Sequence, residues 1–193
     1  MNITIGTAQF SKNYGLLKKK SYPKQVINFI NNSNKIRMID TAPSYGQAEK
    51  IIGKHLEKKI KIITKINPFL YSSVDKNLDK FKFEFEKSLK RLQVENIYGL
   101  LFHRDLDIQK PNHEKFFYYL DTLKKQKIVN RVGFSTYSTK NIIEHLNYFN
   151  FQIIQLPINI FNLNKNYLNF LKNLKKNNNI EIHARSIFLQ GAL

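Results

Sequence analysis

Short apolar segments alternate along the chain with longer amphipathic ones. The apolar segments are rich in Ile, Val, Leu and Phe and show no regular alternation with polar residues, which is typical of strands covered on both faces. Seven such strands are predicted: Ile3–Thr7, Ile36–Asp40, Ile60–Ile66, Ile97–His103, Val129–Ser135, Phe151–Leu156 and Ile180–Arg185.

The segments between these strands have the periodicity of amphipathic helices. Helices are predicted near residues 23–32, 46–58, 75–92, 112–127, 138–149 and 164–178. The third has the clearest apolar face, formed by residues three or four positions apart: Leu78, Phe81, Phe85, Leu89 and Leu92. Ser44 and Gln47 have the spacing of a capping box for the second helix, and Gly53 or the lysines after it are expected to end that helix.

A strand followed by a helix, repeated along the chain, predicts a parallel α/β fold. A doubly wound sheet and a (β/α)8 barrel both fit this pattern. The sequence contains no G-x-G-x-x-G turn of the kind that opens a dinucleotide-binding sheet. Polar residues instead follow several different strands, as on the C-terminal face of a TIM-type barrel. We therefore expect one barrel domain over residues 1–193 that lacks its last unit, since a full barrel typically needs about 250 residues.

The composition is that of a globular chain, with 193 residues, 42% hydrophobic and 24% charged. No apolar run reaches the roughly 18 residues of a membrane span, and the N-terminus lacks the layout of a signal peptide. The sequence has no Cys, which excludes disulfides and thiolate metal sites and fits a reducing compartment. We expect a cytoplasmic protein that does not bind membranes.

The net charge of +18 is also compatible with nucleic-acid binding through phosphate contacts. The lysines, however, are spread through every predicted helix and accompany many Asn and Ile residues, which indicates a general compositional bias. No nucleic-acid-binding motif is present. Solvated surface is the favoured interpretation, and a nucleic-acid binder is the weakest alternative.

Four titratable side chains follow the ends of three consecutive predicted strands. The second strand ends at Asp40, and a loop containing proline leads from it to Tyr45. The third strand ends near Lys65, and the fourth ends at His103. Neighbouring strand ends meet at the C-terminal face of a barrel, so the four groups are expected to converge within hydrogen-bond reach.

Reduction of a carbonyl group by hydride needs such a set of groups, because the alkoxide that develops must be protonated. A phenol is a weak acid with a pKa of about 10, and a nearby ammonium strengthens it by stabilising the phenolate. Tyr45 is thus the candidate acid, Lys65 its activator, and Asp40 the carboxylate that holds Lys65. His103 can donate a hydrogen bond to the carbonyl oxygen and orient it.

The same residues carry a resemblance to a known family. IDTAPSYG followed by EKIIG, then ITK and LLFHRD at the next two strand ends, resembles the aldo-keto reductases. The resemblance runs from IGTAQF-x-x-x-YG at the start to VGFSTYS, QLPINIFN and ARSIFLQGAL. It implies that Asp40, Tyr45, Lys65 and His103 form the catalytic tetrad of an enzyme that reduces a small-molecule aldehyde or ketone. It also implies that NADPH binds in extended form across the barrel mouth.

The resemblance assigns further residues to the cofactor: Asp40, Ser135, Gln155, Arg185, Ser186 and Gln190. Ser135 and Gln155 match contacts to the nicotinamide carboxamide, although the asparagine usual beside the serine is Thr136 here. Arg185 falls where many members stack an aromatic ring on the nicotinamide, so its guanidinium would have to stack instead. The family's basic segment for the extra phosphate of NADP has no counterpart in the sequence. NAD therefore stays an alternative cofactor.

The missing last unit leaves a second interpretation open. In it, the chain is a truncated or degenerate barrel that keeps the tetrad without turnover and acts, if at all, as a binding or interaction protein. The other histidines lack metal-ligand spacing and are interpreted as structural: His55, His113, His145 and His183. No metal is expected, and the sequence gives no prediction of oligomeric state.

Overall fold

The computed structural model describes residues 3–10, 22–57, 59–108, 114–178 and 180–189. Seven parallel strands form one sheet: β1 (Ile3–Gly6), β2 (Ile36–Asp40), β3 (Lys61–Ile66), β4 (Ile97–Phe102), β5 (Val129–Ser135), β6 (Ile153–Pro157) and β7 (Glu181–Arg185). The α-helices are α1 (Pro23–Asn32), α2 (Ala48–His55), α3 (Val74–Leu92), α4 (Glu114–Lys125), α5 (Thr139–Tyr148) and α6 (Lys165–Asn178). Short 3-10 helices follow β2 and β4, at Pro43–Tyr45 and Asp105–Asp107.

The order of the strands decides between the two α/β folds that the sequence allows. Every strand pairs in parallel with the next one along the chain, from β1 to β7. A doubly wound sheet reverses its strand order near the centre, whereas a barrel keeps its strands in chain order. The described residues therefore form seven strands and six helices of a (β/α)8-type barrel, and the predicted fold class is confirmed.

Apolar side chains cover both faces of the sheet. The main core lies between the sheet and the helices and includes Leu100, Phe102, Val132, Phe134 and Ile154. A smaller cluster lies on the opposite, inner face: Met38, Ile63, Leu101 and Ile153. Successive residues of a strand point to opposite faces, so burial on both sides explains the continuous apolar runs. None of the helices in the described part of the chain is long and apolar enough to cross a membrane.

The segment between β2 and α2 differs from its prediction. Ser44 lies inside the 3-10 helix Pro43–Tyr45, and α2 begins at Ala48 without a side-chain cap from Gln47. The predicted capping box is therefore wrong. Gly46 separates the two helices with a φ of 63°, a left-handed conformation that glycine adopts without strain.

Gly53 does not end α2, which continues to His55. A Cβ atom at this position would lie 2.2 Å from the carbonyl oxygen of Arg91, at the end of α3. The glycine therefore allows α2 and α3 to approach closely. Glu49 joins the same two helices, since it is 1% exposed and accepts from Arg91 Nε at 2.8 Å and from Thr64 Oγ1 of β3 at 2.7 Å.

Candidate active site

Lys65 and Asp40 form a buried ion pair near the C-terminal ends of β3 and β2. Asp40 is paired with Ile63, so Lys65 lies two residues further along β3 on the same face of the sheet. Lys65 Nζ donates to Asp40 Oδ1 at 2.7 Å, to Asp40 Oδ2 at 2.8 Å and to the Thr41 carbonyl oxygen at 3.0 Å. Lys65 is only 3% exposed, so the carboxylate rather than water balances its charge.

Two further residues, from the β1 and β6 parts of the sheet, hold Asp40 in place. Gln155 Nε2, on β6, donates to Asp40 Oδ1 at 3.1 Å. Thr7, directly after β1, donates to the Asp40 carbonyl oxygen through its hydroxyl at 3.1 Å and its amide at 3.0 Å. The structure thus brings together three of the predicted site residues, Asp40, Lys65 and Gln155, although they lie far apart in the sequence.

Tyr45 and His103 lie beside this ion pair. Tyr45 ends the 3-10 helix after β2, and its ring centroid is 5.1 Å from Lys65 Nζ, which is within cation–π distance. His103 follows β4, and its ring meets the Tyr45 ring edge-on with 5.9 Å between the centroids. The Ser44 hydroxyl lies 3.4 Å from His103 Nδ1. All four residues predicted as the catalytic set therefore lie in one cluster at the strand ends.

His103 is uncharged at neutral pH in these surroundings. Burial lowers its pKa from 6.5 to about 4, and the positive charge of Lys65 acts in the same direction. The Asp40 carboxylate opposes this shift without reversing it. A neutral imidazole has one N–H donor and one acceptor nitrogen. Such a ring can donate its N–H to a carbonyl oxygen and orient it.

The ends of β5 and β6 carry two polar side chains that fit a carboxamide. Ser135 and Gln155 are direct partners in the register of the two strands, and both are buried. A hydroxyl and an amide can together supply the donors and the acceptor that a carboxamide needs.

Arg185 ends β7 and is held by the loop after β5. Its guanidinium carbon lies 4.0 Å from the centroid of the Tyr137 ring, and its Nη2 donates to the Thr136 carbonyl oxygen at 3.3 Å. A guanidinium held in this way can stack on a further planar group, which fits the nicotinamide that the resemblance implies. Ser186 follows with a φ of 55°, and the predicted contact Gln190 lies outside the described residues.

Sequence reasoning missed one pair of residues at the site. Thr136 is 1% exposed, and its hydroxyl donates to Asp105 Oδ2 at 2.6 Å. Asp105 stands two residues after His103, so this contact joins the loop after β4 to the loop after β5. The available signal was the threonine itself, in the place where the resemblance leads one to expect asparagine.

Two of the other histidines, His145 and His183, lie beside carboxylates outside the tetrad. His145 is buried on α5, and its Nε2 lies 3.5 Å from Asp105 Oδ2. His183, on β7, lies 3.2 Å from a carboxylate oxygen of Glu181. His113 falls outside the described residues. Within the part of the chain that the structure describes, no group of three His, Asp or Glu side chains is placed to hold a metal ion.

Fold and site together define the class of protein: a parallel β/α barrel with a Lys–Asp pair, a tyrosine and a neutral histidine at the strand ends. The model of the Aldo/keto reductase family matches residues 2–193. The chain therefore belongs to the aldo/keto reductase family.

Several solved structures share the fold. An aldo-keto reductase from Bacillus halodurans in its holo form superposes with a TM-score of 0.75 at 18% identity, covering 100% of this chain and 64% of that one. An aldo-keto reductase from a Medee basin deep-sea metagenome library superposes with a TM-score of 0.68 at 20% identity, covering 100% of this chain and 66% of that one. A mutant protein crystallised in complex with NADPH superposes with a TM-score of 0.65 at 19% identity, covering 97% of this chain and 64% of that one. The chain thus spans 64–66% of the length of these structures. No curated protein matches it.

Proposed function

We propose that the chain forms the catalytic core of an NADP(H)-dependent reductase that converts a small aldehyde or ketone into an alcohol. The observation that carries this proposal is the buried pair of Lys65 and Asp40, which lies against the ring of Tyr45. A buried ion pair is weak evidence for stabilisation. Its position beside a phenol and a neutral imidazole favours a role in proton transfer.

Each residue of the proposed tetrad has one role. When bound, the reduced nicotinamide supplies the hydride for the carbonyl carbon. His103 donates its ring N–H to the carbonyl oxygen and orients it. Tyr45 transfers its hydroxyl proton to that oxygen as negative charge develops, and Lys65 stabilises the phenolate that remains. Asp40 holds the Lys65 ammonium at the distance where it can act.

The proposed cofactor edge is defined as Ser135, Gln155, Arg185 and Ser186, at the ends of β5 to β7, and Asp40 accepts a hydrogen bond from Gln155 of this edge. Gln190, outside the described residues, stays a predicted contact of the cofactor. Ser135 and Gln155 would bind the carboxamide, and Arg185 would stack on the nicotinamide ring. NADP is favoured over NAD because a protein of similar fold was solved with NADPH. The net charge of +18 also suits a cofactor with an additional phosphate. The lack of Cys favours the reducing cytoplasm as the place of this reaction.

The purified 193-residue chain can be tested for NADPH binding by fluorescence and for carbonyl-dependent loss of NADPH absorbance. Tyr45→Phe should lower the rate of reduction by at least about 100-fold, the usual contribution of a general acid. Its affinity for NADPH should stay within about twofold of wild type, because the hydroxyl acts on the substrate oxygen. Tyr118→Phe is the matched control, since Tyr118 is 75% exposed on α4.

The competing interpretation is a barrel that keeps the tetrad without turnover. It predicts NADPH binding, or none, with no carbonyl-dependent oxidation by the wild-type chain. Equal rates for wild type and Tyr45→Phe would contradict the assignment of the proton donor. A rate that depends on Tyr45 would exclude the inactive scaffold.

A further inference from the structure

The carboxylate of Asp105 has no part in the proposed proton transfer, yet it collects several hydrogen bonds. Oδ2 accepts from Thr136 Oγ1 at 2.6 Å and from Asn141 Nδ2 at 3.0 Å. His145 Nε2 lies 3.5 Å from the same oxygen. Burial alone would raise the pKa of Asp105, but the nearby His145 ring and the hydrogen bonds from Thr136 and Asn141 lower it to about 2. The group is therefore a carboxylate at every ordinary pH.

Thr136 is the link between this carboxylate and the cofactor edge. Its hydroxyl donates to Asp105 and accepts from the Ser138 amide at 3.0 Å, so its side chain is fully committed inside the protein. Its backbone faces the other way: the Thr136 amide donates to the Gln155 carbonyl oxygen at 2.9 Å. Its carbonyl oxygen accepts from Arg185 Nη2 at 3.3 Å. Fixing the Thr136 side chain thus fixes the peptide that holds Arg185 and follows Ser135.

We propose that Asp105 is a positioning residue of the cofactor edge, which acts through the Thr136 hydroxyl to hold Ser135 and Arg185 in place. The inference rests on the proposed function, because it concerns the binding of NADPH. It assigns Thr136 an indirect role. The Thr136 hydroxyl is occupied inside the protein, and its short charge-assisted bond to Asp105 fixes the backbone that follows Ser135 and accepts from Arg185.

The geometry explains why such a support is needed. Asp105 belongs to the loop after β4, whereas Ser135 and Arg185 end β5 and β7, and strand-end loops are the parts of a barrel most free to move. A displacement of about 1 Å at a positioning residue is enough to weaken catalysis strongly. The Asp105–Thr136 bond ties the His103 loop to the cofactor edge, in addition to the bond that Gln155 donates to Asp40.

The test compares three substitutions in the full chain, with NADPH as the probe. Thr136→Val removes the hydroxyl at constant shape and should raise both the Kd and the KM for NADPH by about tenfold, the effect of losing one charge-assisted hydrogen bond. The kcat at saturating NADPH should stay within about threefold of wild type, because the tetrad is unchanged. Thr136→Ser keeps the hydroxyl and should restore the wild-type Kd.

Asp105→Asn keeps an acceptor for Thr136 but removes the charge, so a smaller increase in Kd, about threefold, is expected. This variant keeps the side-chain size and serves if Thr136→Val does not fold. Ser73→Ala is the structural control. Ser73 caps α3 by accepting from the Lys76 amide, so its loss should lower the melting temperature and leave the Kd for NADPH unchanged.

The outcomes separate the inference from the function on which it rests. If the wild-type chain does not bind NADPH, the proposed function fails and this inference fails with it. If the wild-type chain binds NADPH and both Thr136→Val and Asp105→Asn bind equally well, only the inference fails. A loss of affinity that Thr136→Ser does not restore also overturns it, since the hydroxyl would not be the acting group.

Discussion

Lys65 Nζ lies within hydrogen-bond distance of both carboxylate oxygens of Asp40, at 2.7 and 2.8 Å. Since the Lys65 side chain is almost completely buried, its ammonium has no water as an alternative partner. Removing one member of such a pair leaves an unpaired buried charge, whereas removing both is often nearly neutral. Each of the two charges therefore needs the other. Loss of one partner should lower the free energy of unfolding far more than it would in a surface ion pair.

The first prediction concerns the free energy of unfolding. Asp40→Asn leaves Lys65 buried with only amide and carbonyl partners and should cost about 3–5 kcal/mol, the range for breaking a buried pair. The double variant Asp40→Asn with Lys65→Met should recover most of this loss. Urea unfolding followed by circular dichroism measures both. Costs that simply add in the double variant would show that the two groups do not depend on each other.

The second prediction concerns the pH dependence of carbonyl reduction. Without the ammonium, Tyr45 would be a weaker acid, so Lys65→Met should lower the rate and raise the apparent pKa of the alkaline limb of the rate profile. Lys61→Met is the matched control, because Lys61 lies on the same strand with its Nζ 4.0 Å from the Tyr98 ring. An unchanged profile in Lys65→Met would contradict the role assigned to Lys65.

The sequence was sufficient to predict the fold and the clustering of the four candidate residues, because both depend on short segments. The predicted strand Ile97–His103 corresponds to β4 at Ile97–Phe102, since burial on both faces leaves a continuous apolar run. Asp40, Lys65 and His103 could be located because each lies at or next to a strand end. In a barrel, strand ends share one face, so convergence followed from topology without knowledge of any distance.

Contacts between loops could not be predicted from the sequence pattern. The bond between Asp105 and Thr136 spans 31 positions, and no periodicity links the two residues. The prediction of the capping box was wrong for a local reason. Pro43 starts a separate 3-10 helix, and Gly46, with its positive φ, turns the backbone before α2 begins. Ser44 is consequently turned toward His103, with its hydroxyl 3.4 Å from Nδ1. Spacing alone does not distinguish a cap from such a turn.

The third prediction follows from the lowered pKa of His103. The unfolded chain takes up a proton near pH 6.5, but the folded chain does so only at about pH 4. As the pH falls through this window, the unfolded state is favoured, so the contribution of His103 to stability is lost progressively below about pH 6.5. The loss reaches on the order of 3 kcal/mol at about pH 4.

This effect can be isolated by comparison with His103→Gln. The difference in unfolding free energy between the two proteins, measured in urea at several pH values, should change only between about pH 7 and pH 4. Other titrating groups cancel in the difference. A difference that stays constant with pH would mean that His103 is protonated equally in both states.

The fourth prediction concerns the contact between α2 and α3. In an exposed helix, Gly→Ala stabilises by about 1 kcal/mol, but a Cβ at Gly53 would lie 2.2 Å from the Arg91 carbonyl oxygen and 2.7 Å from the Leu92 carbonyl carbon. These are backbone atoms, so the helices would have to separate and lengthen the Glu49–Arg91 contact. Gly53→Ala should therefore destabilise by about 1–3 kcal/mol. Among the described residues, no atom lies within 4 Å of a Cβ placed at Gly6, so Gly6→Ala should stay within about 0.5 kcal/mol of wild type. Urea midpoints of both variants test this, and equal midpoints would show that α2 and α3 do not need the glycine.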